Sequence, residues 1–518
     1  MATAVANHPL GASQNLKHSK LKTPWFIHLG LSGKNLTCNN EKNATGLLRV
    51  SFTIEHVLIP VDQGYEEVSV QVMDGRIAAI APHLNRVGTA IDGRNKLLLP
   101  GFVNAHTHSS EMWQRGLIPP YPLELWLAEL YDFAPLDPEQ IYLSALGTAV
   151  ETMLTGGTTV VDHLVLIPGR ELETLAAAVR AYREVGIRAF IGPLIQDEVL
   201  ESGIPGGGTE PKHPTYGRST EATLEFLREA IAQFHRPTEG ISIMAAPTGA
   251  QLCSDALFEG CVELSDRHTL CRHAHLLETK AQKLLAYEKY GCSAVEHLKQ
   301  LEFLSPQTSL AHCVWLDQQD IEILGDTRST VVHNPLSNLR LGSGVAPILN
   351  YRRAGVNLAF GCDGAASNDA QDMLEAIKIG MILHNVTDLD YTQWITPRQA
   401  IALASLGGAI GLGMASEIGS LEVGKQADLV LYDLMNLSML PRTDPIGLLV
   451  LGRPTQVVDS VWVKGDRVIA AGKPTRINLD ELRSQLFNRS QWSVNRKSTT
   501  VKQVEAHYRA VMQLPVLE

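Results

Sequence analysis

The 518-residue sequence predicts an α/β fold: a (β/α)8 barrel with a small β-sandwich domain built from both chain ends. Three observations point there. Through the middle of the chain, short apolar segments alternate with amphipathic helical stretches, the pattern of βα repeats around a parallel sheet. Hairpin patterns flank that region on both sides. The length accommodates one large barrel and a smaller domain, with ample surface to bury in a core.

Residues 1–46 read as a poorly ordered extension. The first forty contain no Asp or Glu, four Lys and no Arg, and Pro9, Gly11, Asn15 and Ser19 interrupt any pattern. A secretory signal would need an apolar stretch and an organellar transit peptide would be Arg-rich; neither is seen. Residues 47–96 form the first part of the β domain. Val68 to Met73 alternates, Asp74-Gly75 turns, and Arg76 to Ala81 resumes. Residues 97–414 form the barrel. Its eight expected strands are Leu97–His106, Thr158–Leu164, Ile187–Ile195, Ile241–Thr248, Thr269–Leu276, Thr308–Leu316, Thr330–Asn334 and Val356–Cys362. Helical stretches such as Pro138–Leu154, Leu172–Val185, Thr220–Phe234, Lys280–Tyr290 and Ala370–His384 lie between them. The loop Glu201–Ser219, rich in Gly and Pro, opens on the catalytic face and reads as a lid or a surface insertion. Residues 415–478 supply the second β piece, and 479–518 a helical tail that packs on the barrel or on a neighbouring subunit. Two β-rich pieces at opposite ends can pair because chain termini often lie close together.

Charge and cysteine usage narrow the function. A formal net charge of -11 gives no nucleic-acid footprint and argues against an anionic membrane surface. No run of 18 apolar residues occurs; the nearest, Ile401 to Ser416, is broken by four glycines and reads as a soluble core helix. Seven cysteines without a CxxC pair fit a reduced, cytoplasmic protein with buried thiols.

In a (β/α)8 barrel, chemistry sits at the C-terminal ends of the strands. His106 and His108 end the first expected strand. Residues two apart on a strand share a side, so both imidazoles can grip one metal ion. A bare HxH is weak evidence, and two core histidines would look the same; its place at a strand end favours the metal. His273 and His275 end the fifth strand, and spacing alone does not choose between them. Glu278 follows three residues later, near enough to act on bound water or substrate. His312 lies in the sixth strand, where a satisfied core histidine would look the same. Asp363 follows the eighth and can be a ligand, a base or a turn aspartate.

The strings LLLPGFVNAHTH, HAHLLETKAQ, AHCVWL, VVHNPLSNLRLGSGVAP, GCDGAASNDAQDM and GSLEVGKQADLVLYD carry a resemblance. Together they resemble the amidohydrolase superfamily, in its cytosine, adenosylhomocysteine and s-triazine deaminase-like (chlorohydrolase-like) branch, over about residues 50 to 475. The resemblance implies a TIM-type barrel and a metal held by His106, His108, His275 and Asp363, which resolves the tie on the fifth strand. It implies Glu278 as proton shuttle, His312 as second catalytic histidine, and Asp363 also as the acceptor of the water proton. Binuclear members carry a lysine on the fourth strand; Ile241–Thr248 has none, so one divalent ion is expected, zinc or alternatively Fe2+. The implied reaction is hydrolytic deamination of an amino-substituted heterocycle (pyrimidine, purine, pterin or triazine) by metal-bound hydroxide, with ammonia as product. A homodimer or larger homo-oligomer is implied as well.

Departures from the family bear on the substrate. Thr248 stands where adenosylhomocysteine deaminases carry a histidine, and Gly192-Pro193-Leu194 lacks their arginine. Those changes remove contacts to a ribose or amino-acid tail and leave the heterocycle open. Trp113, Arg115 and Trp126, on the loop after the first strand, are candidates for contacting a flat polar ring or for packing under that loop. His163 and Thr248 are further substrate candidates, and His333 is read as structural or as a support behind the site residues. The alternatives are a same-fold hydrolase that displaces chloride or alkylamine or opens a cyclic amide, and a non-catalytic ligand-binding relative. Glu278 favours a leaving group that needs a proton. A structural zinc site would favour a cysteine-rich shell.

Overall fold

The computed structural model describes residues 51–133, 135–206, 218–490 and 499–515. The extension 1–46 and most of the Glu201–Ser219 loop, residues 207–217, lie outside the described residues.

Five strands open the chain: β1 (Ser51–Pro60), β2 (Tyr65–Met73), β3 (Arg76–Ala81), β4 (Thr89–Asp92) and β5 (Lys96–Pro100). Eight follow in the middle: β6 (Phe102–Thr107), β7 (Gly157–Leu164), β8 (Arg188–Pro193), β9 (Ile241–Ile243), β10 (Arg272–Leu276), β11 (Thr308–His312), β12 (Thr330–His333) and β13 (Asn357–Phe360). The last four are β14 (Leu429–Asp433), β15 (Val458–Val463), β16 (Asp466–Ala470) and β17 (Lys473–Pro474).

Both chain ends meet in one nine-stranded sheet, ordered β17-β16-β15-β14-β5-β1-β2-β3, with β4 beside β1. The seam between the ends is the antiparallel pairing of β14 with β5, Leu429 opposite Pro100 through Asp433 opposite Lys96. One face carries its own apolar cluster, including Phe52, Ile54, Val70, Leu98, Leu429 and Trp462, with the Phe52 and Trp462 rings stacked at 5.4 Å.

The middle strands are all parallel. They form two four-stranded sheets, β6-β7-β8-β9 and β10-β11-β12-β13. Parallel bridges Ala245–Arg272 and Gly249–His275 link the chain beyond β9 to β10. On the other side, the Asp363 amide donates to the His106 carbonyl at 2.9 Å. Val103, Val161, Phe190, Met244, Val332 and Ala359 meet in one buried cluster beneath the strand ends.

The expected first barrel strand, Leu97–His106, is two strands in two different sheets. The break is Pro100-Gly101. The Gly101 amide donates to Asp428 at 2.9 Å, and a side chain there would collide with Thr158. Apolar content runs unbroken through both pieces, so periodicity alone hides the change of partner.

Helices start where the sequence offers caps. Asp137 closes a capping box with Gln140 before Pro138–Leu154, and Ser219, Ser254 and Thr279 each accept from an amide of the helix they precede. The stretch after Ile401 runs as helix, a π segment at Leu403–Gly407, and helix again. Gly407 is needed there because a side chain would strike the Leu358 carbonyl on β13. The tail forms helices Leu479–Arg489 and Thr499–Val511, and the second packs through Val501 against Leu125 and Ala128. Among the described residues, no helix is long and apolar enough to cross a membrane.

Candidate metal centre and active site

The ends of β6, β10, β11 and β13 converge. Ligand atoms of His106, His108 and His275 all lie within 4.8 Å of one another, as do those of His106, His312 and Asp363. Asp363 Oδ1 is 3.3 Å from His106 Nε2 and 3.5 Å from His108 Nε2. His108 Nε2 and His275 Nε2 are 3.2 Å apart.

The hydrogen-bond network assigns the tautomers. His108 Nδ1 lies 2.6 Å from the His163 carbonyl and His275 Nδ1 lies 2.7 Å from the Thr248 carbonyl, so both nitrogens must donate. A longer relay does the same for His106. Ser309 Oγ donates to the Arg272 carbonyl at 3.4 Å and accepts from His273 Nδ1 at 2.7 Å. His273 Nε2 then accepts from His106 Nδ1 at 2.8 Å. In all three rings Nε2 is left with a bare lone pair. Three lone pairs and a carboxylate aimed at one point repel unless a cation lies between them. The donor set therefore fits a divalent metal, and its mix of imidazole and carboxylate suits zinc.

His273 and His275 differ in where their ring nitrogens point. His273 spends both nitrogens on Ser309 and His106, whereas His275 turns Nε2 toward His108. His106, His163 and His273 also bring ligand atoms within 4.8 Å, but His163 Nε2 sits 3.1 Å from the Ala246 carbonyl and His273 Nε2 is taken.

Burial holds His106 and His275 neutral, as ligation requires. It pushes His106 down to about 4, and drives His275 well below its usual range with help from neighbouring rings. Burial alone would raise Asp363, but His312, His106 and His108 outweigh it and hold the carboxyl well below the usual range. Asp363 and His312 both adopt positive φ, 63° and 72°, rare for such residues and recurrent at functional sites.

Glu278 stands opposite. It is 2 % exposed, and burial pushes its carboxyl up to about 7. Ser343 Oγ donates to Oε1 at 3.0 Å, and Oε2 lies 3.5 Å from His312 Nε2. His312 Nε2 is also 3.8 Å from Asp363 Oδ2.

Residues 97–468 match the amidohydrolase family. The chain belongs to that family.

The 5-methylthioadenosine/S-adenosylhomocysteine deaminase of Syntrophomonas wolfei is 34% identical to this amidohydrolase over 73% of the chain and 83% of its own length. The 8-oxoguanine deaminase of Pseudomonas aeruginosa is 31% identical over 79% of the chain and 91% of its own. The crystal structure of an adenosine deaminase from Xanthomonas campestris with bound zinc superposes with a TM-score of 0.75 at 26% identity, covering 88% of this chain and 98% of that one.

The substrate candidates separate in the amidohydrolase. Arg115 is held by Glu151 through bonds of 2.7 and 2.8 Å, and Trp113 Nε1 donates to the Gln140 carbonyl at 2.9 Å. Both brace the loop against the helix Pro138–Leu154. Trp126 is buried and donates to the Ala366 carbonyl at 3.2 Å, on the turn that follows Asp363. His163 stacks on His275 at 4.8 Å. Thr248 contributes its carbonyl to His275, and its hydroxyl donates to Ile195 at 3.1 Å.

Three supporting residues escape motif reading. Asp162 accepts from the Ser109 amide at 2.9 Å, its hydroxyl at 2.6 Å and the Tyr182 hydroxyl at 2.7 Å, which anchors the turn after His108. Gln371 accepts from Asn104 and Thr107 and donates to the Asp363 carbonyl, tying β6 to the loop after β13. Glu111 is buried against Gly364, where any side chain would collide with its carboxylate. Asp162 left a trace in sequence as a carboxylate inside an apolar strand, and Gln371 lies inside the string GCDGAASNDAQDM without a role marked for it.

Proposed function

We propose that this amidohydrolase is a hydrolytic deaminase that releases ammonia from an amino-substituted nitrogen heterocycle and works with one zinc ion. One observation carries the reading. Three bare imidazole nitrogens and Asp363 converge beside a buried Glu278 whose carboxyl is pushed up to about 7. That set joins a cation site to a proton donor, which an amino leaving group needs and chloride does not. The deaminase names of the relatives at 34% and 31% identity support it.

His106, His108, His275 and Asp363 would hold the ion, and its chemistry is to bring the pKa of a water it holds toward neutrality. Glu278 delivers a proton to the ring nitrogen beside the amino-bearing carbon, which makes that carbon electrophilic. Asp363 accepts a proton from the attacking water. His312 Nε2 accepts a hydrogen bond from the hydroxyl added to the ring and so steadies that oxygen. The C–N bond breaks, the amine takes a proton, and ammonia leaves. The absence of lysine from Ile241–Thr248 supports a single ion. Trp126, His163 and Thr248 frame the ring, whereas Trp113 and Arg115 act as braces.

The same reading covers the architecture. The two parallel sheets close as a (β/α)8 barrel that begins after Pro100, where β5 leaves for the terminal sheet, and runs to residue 414. The terminal pieces 51–96 and 415–478 fold as a sandwich beside it, and the helices Leu479–Arg489 and Thr499–Val511 form a tail. We place the enzyme in the cytoplasm as a homo-oligomer.

The test is ammonia release by zinc-loaded protein from cytosines, guanines, adenines and 5′-modified adenosines, pterins and aminotriazines. Release from one ring class, lost in Glu278→Gln, is the expected result. Silence across the panel with one metal ion bound per chain would overturn the deaminase reading.

A further inference from the structure

Behind His312, away from the metal centre, lies a buried polar corner that the proposed reaction does not use. It is built from the end of β12, the helix Pro335–Arg340 and the turn that follows the helix Met373–Ile382; these two helices pack together. His333, Asn334, Ser337, Asn338 and His384 are each at most 1 % exposed. His333 Nδ1, both side-chain polar atoms of Asn334, Ser337 Oγ, Asn338 Nδ2, His384 Nδ1 and Asn385 Oδ1 have no protein partner. His333 Nε2 and His384 Nε2 face each other at 3.1 Å, so one of them donates.

One atom of this corner reaches the active site. Asn338 Oδ1 lies 2.9 Å from His312 Nδ1, while Asn338 Nδ2 faces away from the ring without a protein acceptor. The amide is anchored at its backbone: the Asn338 N–H donates to Asn334 at 3.0 Å, and its carbonyl accepts from Ser343 at 2.8 Å. Ser343 is also the donor to Glu278. An oxygen at 2.9 Å requires a proton on Nδ1. The free nitrogen, Nε2, is the one that faces Glu278 and Asp363.

We propose that Asn338 is a positioning residue: its side-chain oxygen keeps His312 Nδ1 protonated, so that His312 exchanges protons only through Nε2. The role rests on the deaminase reading for its consequence in turnover, but not for its geometry. With Nδ1–H fixed, neutral His312 presents a lone pair to the reacting centre and imidazolium presents N–H. Without Asn338, neutral His312 can place its proton on Nε2 and lose the ability to accept there.

The test reads the tautomer directly. Zinc-loaded protein carrying 15N-labelled histidine is compared with Asn338→Leu and Asn338→Asp, and the His312 signals are identified by their loss in His312→Gln. Nδ1–H is expected in the wild type and in Asn338→Asp, with Nε2–H populated in Asn338→Leu. On the substrate identified by the ammonia panel, Asn338→Leu should lose ~10²-fold in kcat with KM within threefold. Asn338→Asp should restore most of that loss, because a carboxylate also accepts from Nδ1. An unchanged tautomer in Asn338→Leu would overturn the proposal, whatever the substrate. Equal loss in Leu and Asp variants would do so too. If no substrate in the panel reacts while the tautomer still switches, the deaminase reading fails and the positioning role stands.

Discussion

His108 and His275 face each other Nε2 to Nε2 at 3.2 Å, and each has committed its other nitrogen to a main-chain carbonyl. Neither ring can donate to the other while neutral, so the pair is arranged for a shared cation. Chelation is therefore expected to abolish activity and lower Tm, with zinc restoring both. An ion present at a hundred times its Kd contributes ~2.7 kcal/mol. His108→Asn and His275→Asn should lose the metal outright. His273→Asn should keep the ligand set but weaken binding by ~10–100-fold, since His273 only orients His106. Metal content and competition with a calibrated chelator distinguish these outcomes; equal loss in the His273 and His275 variants would contradict the assignment.

Glu278 is protonated below about 7, because burial disfavours its charged form. As a proton donor it should work on the acid side, with kcat/KM falling about tenfold per pH unit above about 7. Glu278→Gln should cost ~10²–10⁴-fold in kcat and remove that alkaline limb, with metal content unchanged. A pH–rate profile with and without the substitution checks both.

Glu111 couples stability to pH. Burial pushes its carboxyl from 4.5 up to about 7, with His108 opposing and Asp363 adding. The folded state therefore holds a proton between those values that the unfolded chain releases. The stabilisation is complete below 4.5 and is lost as pH rises through about 7. The linkage is worth about 3 kcal/mol at most. In chelated protein, Glu111→Gln should gain on wild type as pH rises from 5 to 8, measured by urea unfolding at each pH. A constant difference would refute the linkage.

Arg188, at the start of β8, and Asp428, just before β14, form a buried ion pair that joins the parallel sheets to the terminal sheet. Arg188 also donates to Thr159 and Gln426, and the Lys464 amide donates to Asp428. Asp428→Ala strands a buried guanidinium and should cost ~3–5 kcal/mol, with kcat of the folded fraction unchanged. Replacing both by leucine or methionine should recover much of it, read as midpoints of chemical unfolding.

Helix positions were legible because capping chemistry is local. Pro138–Leu154, Thr220–Phe234 and Lys280–Tyr290 form over the residues that caps and periodicity mark out. Strand partners were less legible. Leu97–Leu99 and Phe102–Val103 are equally apolar, and only the turn at Gly101 against Asp428 sends them into different sheets. Trp113 and Arg115 carried the chemistry of ring recognition, yet Gln140 and Glu151, on a helix beyond the loop, claim their polar atoms.

The sequence by itself determined which side chains could reach the centre. His106 and His108 are two apart at a strand end, where both can face one point, and Glu278 follows His275 closely enough to share its strand end. It also supplied the chemistry, because imidazole, carboxylate and small-residue turns are properties of residue type. Only the tertiary structure decided how each group is used. Spacing gives the side of a strand but not the ring nitrogen that faces inward. That choice belongs to the partners on the other nitrogen: His163 for His108, Thr248 for His275, Asn338 for His312, and Ser309 through His273 for His106. Most of these partners sit on other strands or on the loops and helices beyond them, and packing alone brings them together.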